Sequence, residues 1–562
     1  MLTRRAVGCG LLLGLGLWFS PVVSAQASAP QSADVVVVGA TPGGVAAAVA
    51  AAQRGLNVVL VEETNHVGGI VSGGLTNNDI GREGGSLGLF ACFRQWILDY
   101  YVKTYGPDSQ QVVDCRKGNH YEAHVAEKAY RALLAAEPRV RLLLRQRLNA
   151  AQRDGDRLVR IVLDDLEQPG RQVPLAAQAF IDATYEGDLA ALAGVEYRVG
   201  RESRDTYGEW LAGRIYMRFR TREPLPGSTG EGDAGIQAFC FRIHVTARPD
   251  NRVPFEKPAT YGRDDYRHLL ADILAGKVVK LRDAMQMHPM PNQKFELNSD
   301  HVHPDTGIPS ESFDLAEENW GWPEADWRQR EKIFARYWDY HEGLLWFLAN
   351  DPQVPEALRQ ETAQYGFCKD EFVDHRHRPH YLYVRQGRRI VGEYTFTQRD
   401  EDPDPATGLP RPQPDAVAVA TYPWDSHSVH KFDPAHPGVR EGYFYVPHKP
   451  LQLPYRILVP KKIDGLLVPV ACSASHVGYQ TIRMEPVFMT LGEASGIAAW
   501  LAIREQVPLR CVPIGELQRA IVAAGGVIEM PAGKNLSPNR PSQAGRPSRT
   551  ELPTGLGAGS KK

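Results

Sequence analysis

Four residues far along the chain have the side-chain types that move protons and hold charge: His476, Arg483, Asp425 and His427. His476 follows the run "LLVPVACSAS" and precedes a helix starting near Pro486. It reads either as an acid/base at that helix N-terminus or as a histidine that hydrogen-bonds backbone behind a site. Arg483 suits a substrate carboxylate or a developing negative charge, or else a helix-entry ion pair with Glu485. In "YPWDSHSVH" the pair Asp425 and His427 suits a proton relay, because a carboxylate fixes an imidazole's tautomer; a polar turn is the alternative, and His430 follows. Arg385, Arg388 and Arg389 in "RQGRRIVGEY" read as an anionic pocket or a structural charge cluster. "HRHRPH", His375 to His380, reads as a basic loop, since arginines separate its histidines. Cys92, Cys115, Cys240, Cys368, Cys472 and Cys511 show no CxxC spacing, so no zinc or iron–sulfur centre is expected, and metal ligands are none.

Such groups need a scaffold, and the strongest positioning signal lies near the other end. In "ADVVVVGATPGGVAAAVAAAQRGLNVVLVEE" a buried β-branched run leads to a glycine turn. A helix of small residues and a second buried strand follow. The turn is Gly39-Ala40-Thr41-Pro42-Gly43-Gly44. A dinucleotide fingerprint wants glycine for the tight turn, for close approach to pyrophosphate and where helix meets strand; Thr41 takes the middle place. The helix N-terminus offers unpaired N–H groups to a phosphate, and Glu62, at the tip of the second strand, is placed to accept ribose hydroxyls.

"HVGGIVSGGLTNNDIG" then supplies two glycine pairs, the first being Gly68 and Gly69. This resembles the GG signature of FAD-binding proteins, where the chain passes the cofactor's diphosphate. "FIDATYEGDLA", with Ala183, resembles their later Ala-Thr-Gly-like strand. "PVFMTLGEASGIAAWLAI", from Pro486, resembles the helix laid against the flavin pyrimidine. These segments, with "GLLWFLANDPQVP", "YLYVRQGRRIVGEY", "DSHSVH" and "SASHVGYQTIRMEPVFMTLGEASG", make the chain similar to the FAD-dependent oxidoreductases of exported bacterial proteins. Some relatives carry the label xanthan lyase, and fumarate-reductase and thiamine-biosynthesis type flavoproteins are more distant. The resemblance covers about Ala33 to Glu505. Thr41 fits the GxTxxG variant of this group, while Gln386-Gly387 stands where relatives commonly have an acid and alanine. The resemblance implies FAD and redox chemistry, with His476 beside the flavin ring; a covalent tether from His66 stays open, though most such segments hold FAD without a bond.

The expected fold is α/β. A Rossmann-like FAD-binding domain of the glutathione-reductase type is built from both chain ends (33–195 and 455–525), around an inserted α+β substrate or cap domain (196–454). A helix is expected at His124–Ala136 and strands at Val140–Leu144, Leu158–Leu163, Ala177–Thr184 and Gly465–Ala471. In the cap, "WRQREKIFARYWDYHEGLLWFLAN" reads as an amphipathic helix and "MPNQKFELNSDHVHPDTGIPSES" as a long polar loop. Arg4 and Arg5 ahead of a short apolar run read as a Sec or twin-arginine signal peptide over residues 1–25, which implies a periplasmic or secreted protein. Residues 536–562 read as a disordered tail. No later stretch looks long and apolar enough to cross a bilayer. Lys+Arg 64 against Asp+Glu 66 gives a net charge of -2, with no field to attract nucleic acid. The expected partners are a small-molecule substrate and an electron acceptor whose identity stays open, with no nucleic acid and no stable membrane insertion. The function implied is hydride transfer between FAD and a small polar substrate, such as one derived from a carbohydrate. The alternatives are reduction of an activated double bond with Arg483 as proton donor, a lyase with transient flavin redox, and a carbohydrate-binding protein with structural FAD.

Overall fold

The computed structural model describes residues 31–529 except 82–84, 300–301 and 304. The expected signal peptide and C-terminal tail lie outside the described residues. The central strand, Gln31–Val38, is flanked in parallel by Val58–Val61 and by Gln172–Asp182, with Val140–Leu143 beyond Val58–Val61. Val35 to Val38 are buried on both faces, as a β-branched run in a covered parallel sheet must be. The "RDGD" turn closes an antiparallel hairpin, Gln146–Asp154 with Arg157–Asp165, which pairs with the first half of Gln172–Asp182.

The chain returns to this sheet from its far end, where Leu466 and Leu467 pair in parallel with Phe180 and Ile181. Of the strand expected at Gly465–Ala471, only Leu466 and Leu467 form residue pairs in the sheet, with the Gly465 carbonyl accepting from the Phe180 N–H at 2.8 Å. The Val468 N–H donates instead to the Leu458 carbonyl, and Pro469 has no N–H to offer. The helix Pro42–Ala52 is buried along its whole length and packs on Glu485–Glu505. The two backbones touch: a Cβ on Gly492 would stand 2.0 Å from the Gly43 carbonyl oxygen. Side chains larger than hydrogen there would force the helices apart. Glu485–Glu505 reaches the length and hydropathy of a membrane span, contrary to the expectation that no later stretch does, yet 89% of its apolar window is buried inside the fold. It is the core helix that unites both ends of the chain.

The cap carries a five-stranded antiparallel sheet in the order Gln286–Met290, Lys294–Asn298, His244–Thr246, Gly366–Cys368 and Arg252–Val253. Lys294–Asn298 falls inside the segment expected to be a polar loop. Its polar residues are buried because they are paired: Lys294 Nζ lies 2.6 Å from Glu122 and 2.7 Å from Glu371, and Arg242 Nη1 donates to Glu296 at 2.8 Å. The amphipathic helix forms over Trp327–Asn350, started by a capping box between Asp326 and Gln329. Arg330, on its first turn, makes a two-pronged pair with Asp188 at 2.6 and 2.9 Å, tying the cap to the segment just after Gln172–Asp182.

Candidate functional site

The glycine turn is held from three sides. Thr41 is the N-cap of Pro42–Ala52: its Oγ1 accepts from the Gly44 N–H at 3.2 Å and donates to the Ala183 carbonyl at 2.8 Å. The threonine at the middle place therefore locks the turn to the Gln172–Asp182 strand, whose Ala183 N–H reaches back to Val38 at 2.8 Å. Pro42 takes the first helical position, where no N–H is needed. Gly39 has φ 93, and a Cβ on Gly44 would fall 1.9 Å from the Gly39 carbonyl oxygen, so the turn closes only with glycine at both places. Gly68, also at positive φ, donates its N–H to Ala40 at 2.7 Å and brings Gly69 against Tyr185.

Glu62 is buried, and its orientation is over-determined. Oε2 accepts from the Ala40 N–H at 2.9 Å, while Oε1 accepts from the Thr64 N–H, the Thr64 hydroxyl and the Tyr381 hydroxyl at 2.8 to 3.0 Å. Oε2 keeps an acceptor position for one more donor. Beside it lies a cavity of about 270 Å³ that runs from Gly39 and Thr41 past Glu62 to Arg147 and Leu148. Glu485 stands at the start of the Glu485–Glu505 helix, next to Pro486, fully buried near the Tyr185 phenol. Neither of its carboxylate oxygens has a partner of ordinary hydrogen-bond geometry among the described residues, and burial pushes its pKa up to about 8. The free acceptor position of Glu62 beside the cavity and the unpaired buried carboxyl of Glu485 are both open to a donor from a ligand.

The proton-handling residues are wired differently from the expectation. Asp425 and His427 form no relay. His427 Nδ1 lies 2.5 Å from Asp314 Oδ2, and Asp314 also faces Arg385 at 3.0 Å. Asp425, on the strand Trp424–Ser426, pairs instead with Arg483 at 3.0 Å, and its carbonyl accepts from the same guanidinium at 2.7 Å. Arg483 therefore makes no helix-entry pair with Glu485; its remaining donors reach Gln480 and the Tyr383 hydroxyl, each at 3.2 Å. The physical reason is geometric, since Arg483 ends the short helix His476–Ile482 and turns towards the cap strand. Burial, then Arg385, pushes the His427 pKa down to about 3, so the ring is neutral. Against a burial that would raise it, Arg385 and His427 hold Asp314 well below the usual range. An ionised Asp314 beside a neutral imidazole accepts the Nδ1 proton and leaves Nε2 as the basic nitrogen. Asp425 is pushed up to about 6 by burial, with Arg483 opposing.

His476 opens the helix His476–Ile482, and its N–H donates to Glu202 at 2.8 Å. It does not line the cavity beside Glu62; burial and then Arg389 push it well below its ordinary pKa, and its Nδ1 has no partner among the described residues. The three arginines of "RQGRR" each face carboxylates: Arg385 faces Asp314, Arg388 meets Asp188 and Glu324, and Arg389 meets Glu202. Their cluster is thus internally neutralised. His66 stacks on His380 at 3.6 Å, and both its nitrogens meet carboxylates, Glu127 at 3.0 Å and Asp374 at 3.1 Å. The grouping of Glu122, His124 and Glu371, whose donor set suits a cation, is already served by the Lys294 ammonium. Asp314 and Asp188 carry no role in the sequence reading, and Glu485 enters it only as an alternative ion-pair partner of Arg483. Asp188 and Glu485 lie inside quoted motifs, whereas nothing around Asp314 signals a role.

A glycine turn capped by Thr41, a buried acid at Glu62 and a core helix returning from the far end build an α/β scaffold of the dinucleotide-binding kind. The chain belongs to the family described as FAD dependent oxidoreductase, whose profile it matches over residues 34–521. It is an FAD-dependent oxidoreductase, with FAD as its cofactor. No curated protein matches it. Among solved structures it is similar to a 3-ketosteroid-delta4-(5alpha)-dehydrogenase from Rhodococcus jostii RHA1. There the identity is 16%, over 37% of this chain and 64% of that one, with a TM-score of 0.22. A glycerol-3-phosphate dehydrogenase from Bacillus halodurans complexed with FAD aligns at 11% identity over 34% and 44%, also with a TM-score of 0.22. The myxobacterial chondrochloren halogenase CndH aligns at 15% over 48% and 52%, with a TM-score of 0.25. Each alignment spans less than two thirds of the solved chain, and the assignment rests on the family match.

Proposed function

We propose that this protein is an exported flavoenzyme, periplasmic or secreted, that takes hydride from a C–H bond of a small polar, carbohydrate-derived substrate. Its dinucleotide domain, of the glutathione-reductase type, joins 33–195 to 455–525, and the cap 196–454 carries the substrate. The observation that carries this reading is the buried polar cluster of Arg483, Asp425, Tyr383, Arg385, Asp314 and His427. It adjoins both Glu485, at the entry of the core helix, and Asp79, which follows the second glycine pair and accepts from the Tyr422 hydroxyl at 3.1 Å. When bound, FAD supplies a hydride acceptor. Asp425, whose carboxyl is pushed up to about 6, takes the hydroxyl proton of the substrate, while the neutral His427, aimed by Asp314, accepts a hydrogen bond at Nε2 and Arg483 with Tyr383 orients the substrate's oxygen atoms.

The opposite direction, reduction of an activated double bond, is favoured by one observation: Arg483 is hydrogen-bonded to Asp425, whose carboxyl at about 6 can resupply a proton. The test is an anaerobic screen of sugars, sugar acids and unsaturated acids against the purified yellow protein. Loss of the oxidised-flavin band with a sugar or sugar acid supports oxidation. Reoxidation of pre-reduced protein by an unsaturated acid supports the reverse. Product formed without net electron transfer would favour a lyase, and a flavin inert to every class would leave a binding protein.

A further inference from the structure

The cavity beside Glu62 has a wall that the dinucleotide domain does not supply. The phosphate end of a dinucleotide is set by the capped turn at Gly39 and Thr41, and the ribose by Glu62, so the base must lie at the remaining end, against Gln146, Arg147 and Leu148. There the lining comes from the cap: Trp322, Trp327, Arg330 and Phe334, on or just before the helix Trp327–Asn350. Trp327 is half-buried, with the Arg147 guanidinium 4.8 Å from its ring centre and that of Arg330 5.0 Å away. Arg330 is itself anchored on Asp188, and Arg147 reaches Glu63 at 3.4 Å. The indole therefore stands at the base end of the cavity with two guanidinium groups beside it, each paired with a carboxylate of the dinucleotide domain.

We propose that Trp327, with Arg147, is the adenine-binding wall of this site, so that the cap helix grips the cofactor's adenosine half. This rests on the reading of the cavity as the FAD site. Aromatic rings and guanidinium planes bind purines through their π-faces, whatever the base's hydrogen-bonding edge. The residue discriminates between ligands that carry adenine and those that do not. It also couples cap docking to cofactor retention, because the Arg330–Asp188 pair that seats the helix seats the wall.

The test uses apoprotein from which flavin has been stripped, with FAD, ADP and FMN as separate probes followed by flavin-fluorescence quenching or calorimetry. Trp327→Ala is expected to weaken FAD and ADP on the order of tenfold, as expected for losing one stacking partner. FMN, which has no adenine, should bind it as it binds wild type, and Trp327→Phe should restore most of the FAD and ADP affinity. Trp327→Ala binding FAD and ADP like wild type would overturn the proposal. So would an equal loss for FMN, because that marks a collapsed fold rather than a missing wall. Failure of the wild type to bind either FAD or ADP is a separate outcome that overturns the cavity's reading as the FAD site.

Discussion

The Nδ1 of His427 lies 2.5 Å from the Oδ2 of Asp314, although the two are separated by 113 positions and no motif joins them. Asp425, two residues from His427, is committed to Arg483 instead. One short stretch of chain thus serves two different ionic partnerships, and each makes its own demand on the chemistry.

Removing the charge of Asp314 without changing its shape tests the first partnership. Asp314→Asn should keep FAD bound yet slow anaerobic flavin reduction by substrate about 10²-fold or more, the scale for misplacing a group that orients the substrate. Stopped-flow absorbance is the measurement. A rate close to that of the parent protein would remove His427 from the substrate-orienting role.

The second partnership sets the pH profile. With His427 at about 3, the imidazole stays neutral throughout the ordinary range, so it contributes no inflection near neutrality. Asp425, pushed up to about 6, changes charge there. The rate of flavin reduction should therefore bend near pH 6, and Asp425→Asn should abolish that bend. A bend that survives in Asp425→Asn and vanishes in His427→Asn would reverse the assignment.

Glu485 makes the apoprotein's stability depend on pH. Its carboxyl has an ordinary value of 4.5 and is raised by burial to about 8, so the native state holds a proton that the unfolded chain has already released. The stabilisation is complete below 4.5 and is lost as pH rises through about 8, at ~1.4 kcal/mol per unit at most. Urea melts of the apoprotein at pH 5 and pH 8 should show this fall. In Glu485→Gln, which carries the same shape without the titration, the fall should be smaller by several kcal/mol.

Asp188 holds two buried cations, Arg330 at 2.6 Å and Arg388 at 2.8 Å. Asp188→Ala leaves both without their shared carboxylate, a loss expected to cost about 3–5 kcal/mol. Denaturant midpoints should fall accordingly, and FAD should dissociate faster, since Arg330 seats the cap helix. Unchanged stability would show that the network relaxes at no cost.

Local patterns carried most of the dinucleotide scaffold. Val35–Val38, the Gly39–Gly44 turn, the small-residue helix and Glu62 are read from neighbours within a few residues, and the structure places them as their periodicity demands. The helix expected at His124–Ala136 forms at Ala123–Ala135, and the amphipathic cap helix forms with its quoted ends. One misreading has a cause that local pattern hides. Lys294–Asn298 looked like a loop because a strand whose buried side chains are charged has no apolar alternation, and only partners far along the chain make that burial tolerable.

The sequence by itself determined that a nucleotide turn exists, which acid follows it and which kind of cofactor such a turn suits, because those requirements are met by backbone conformation and short spacing. Tertiary structure alone decided which carboxylate meets which cation: Asp314 with His427, Asp425 with Arg483, Asp188 with Arg330. A side chain's partner is chosen by the fold that carries both groups to within hydrogen-bond distance, and no spacing along the chain records that meeting.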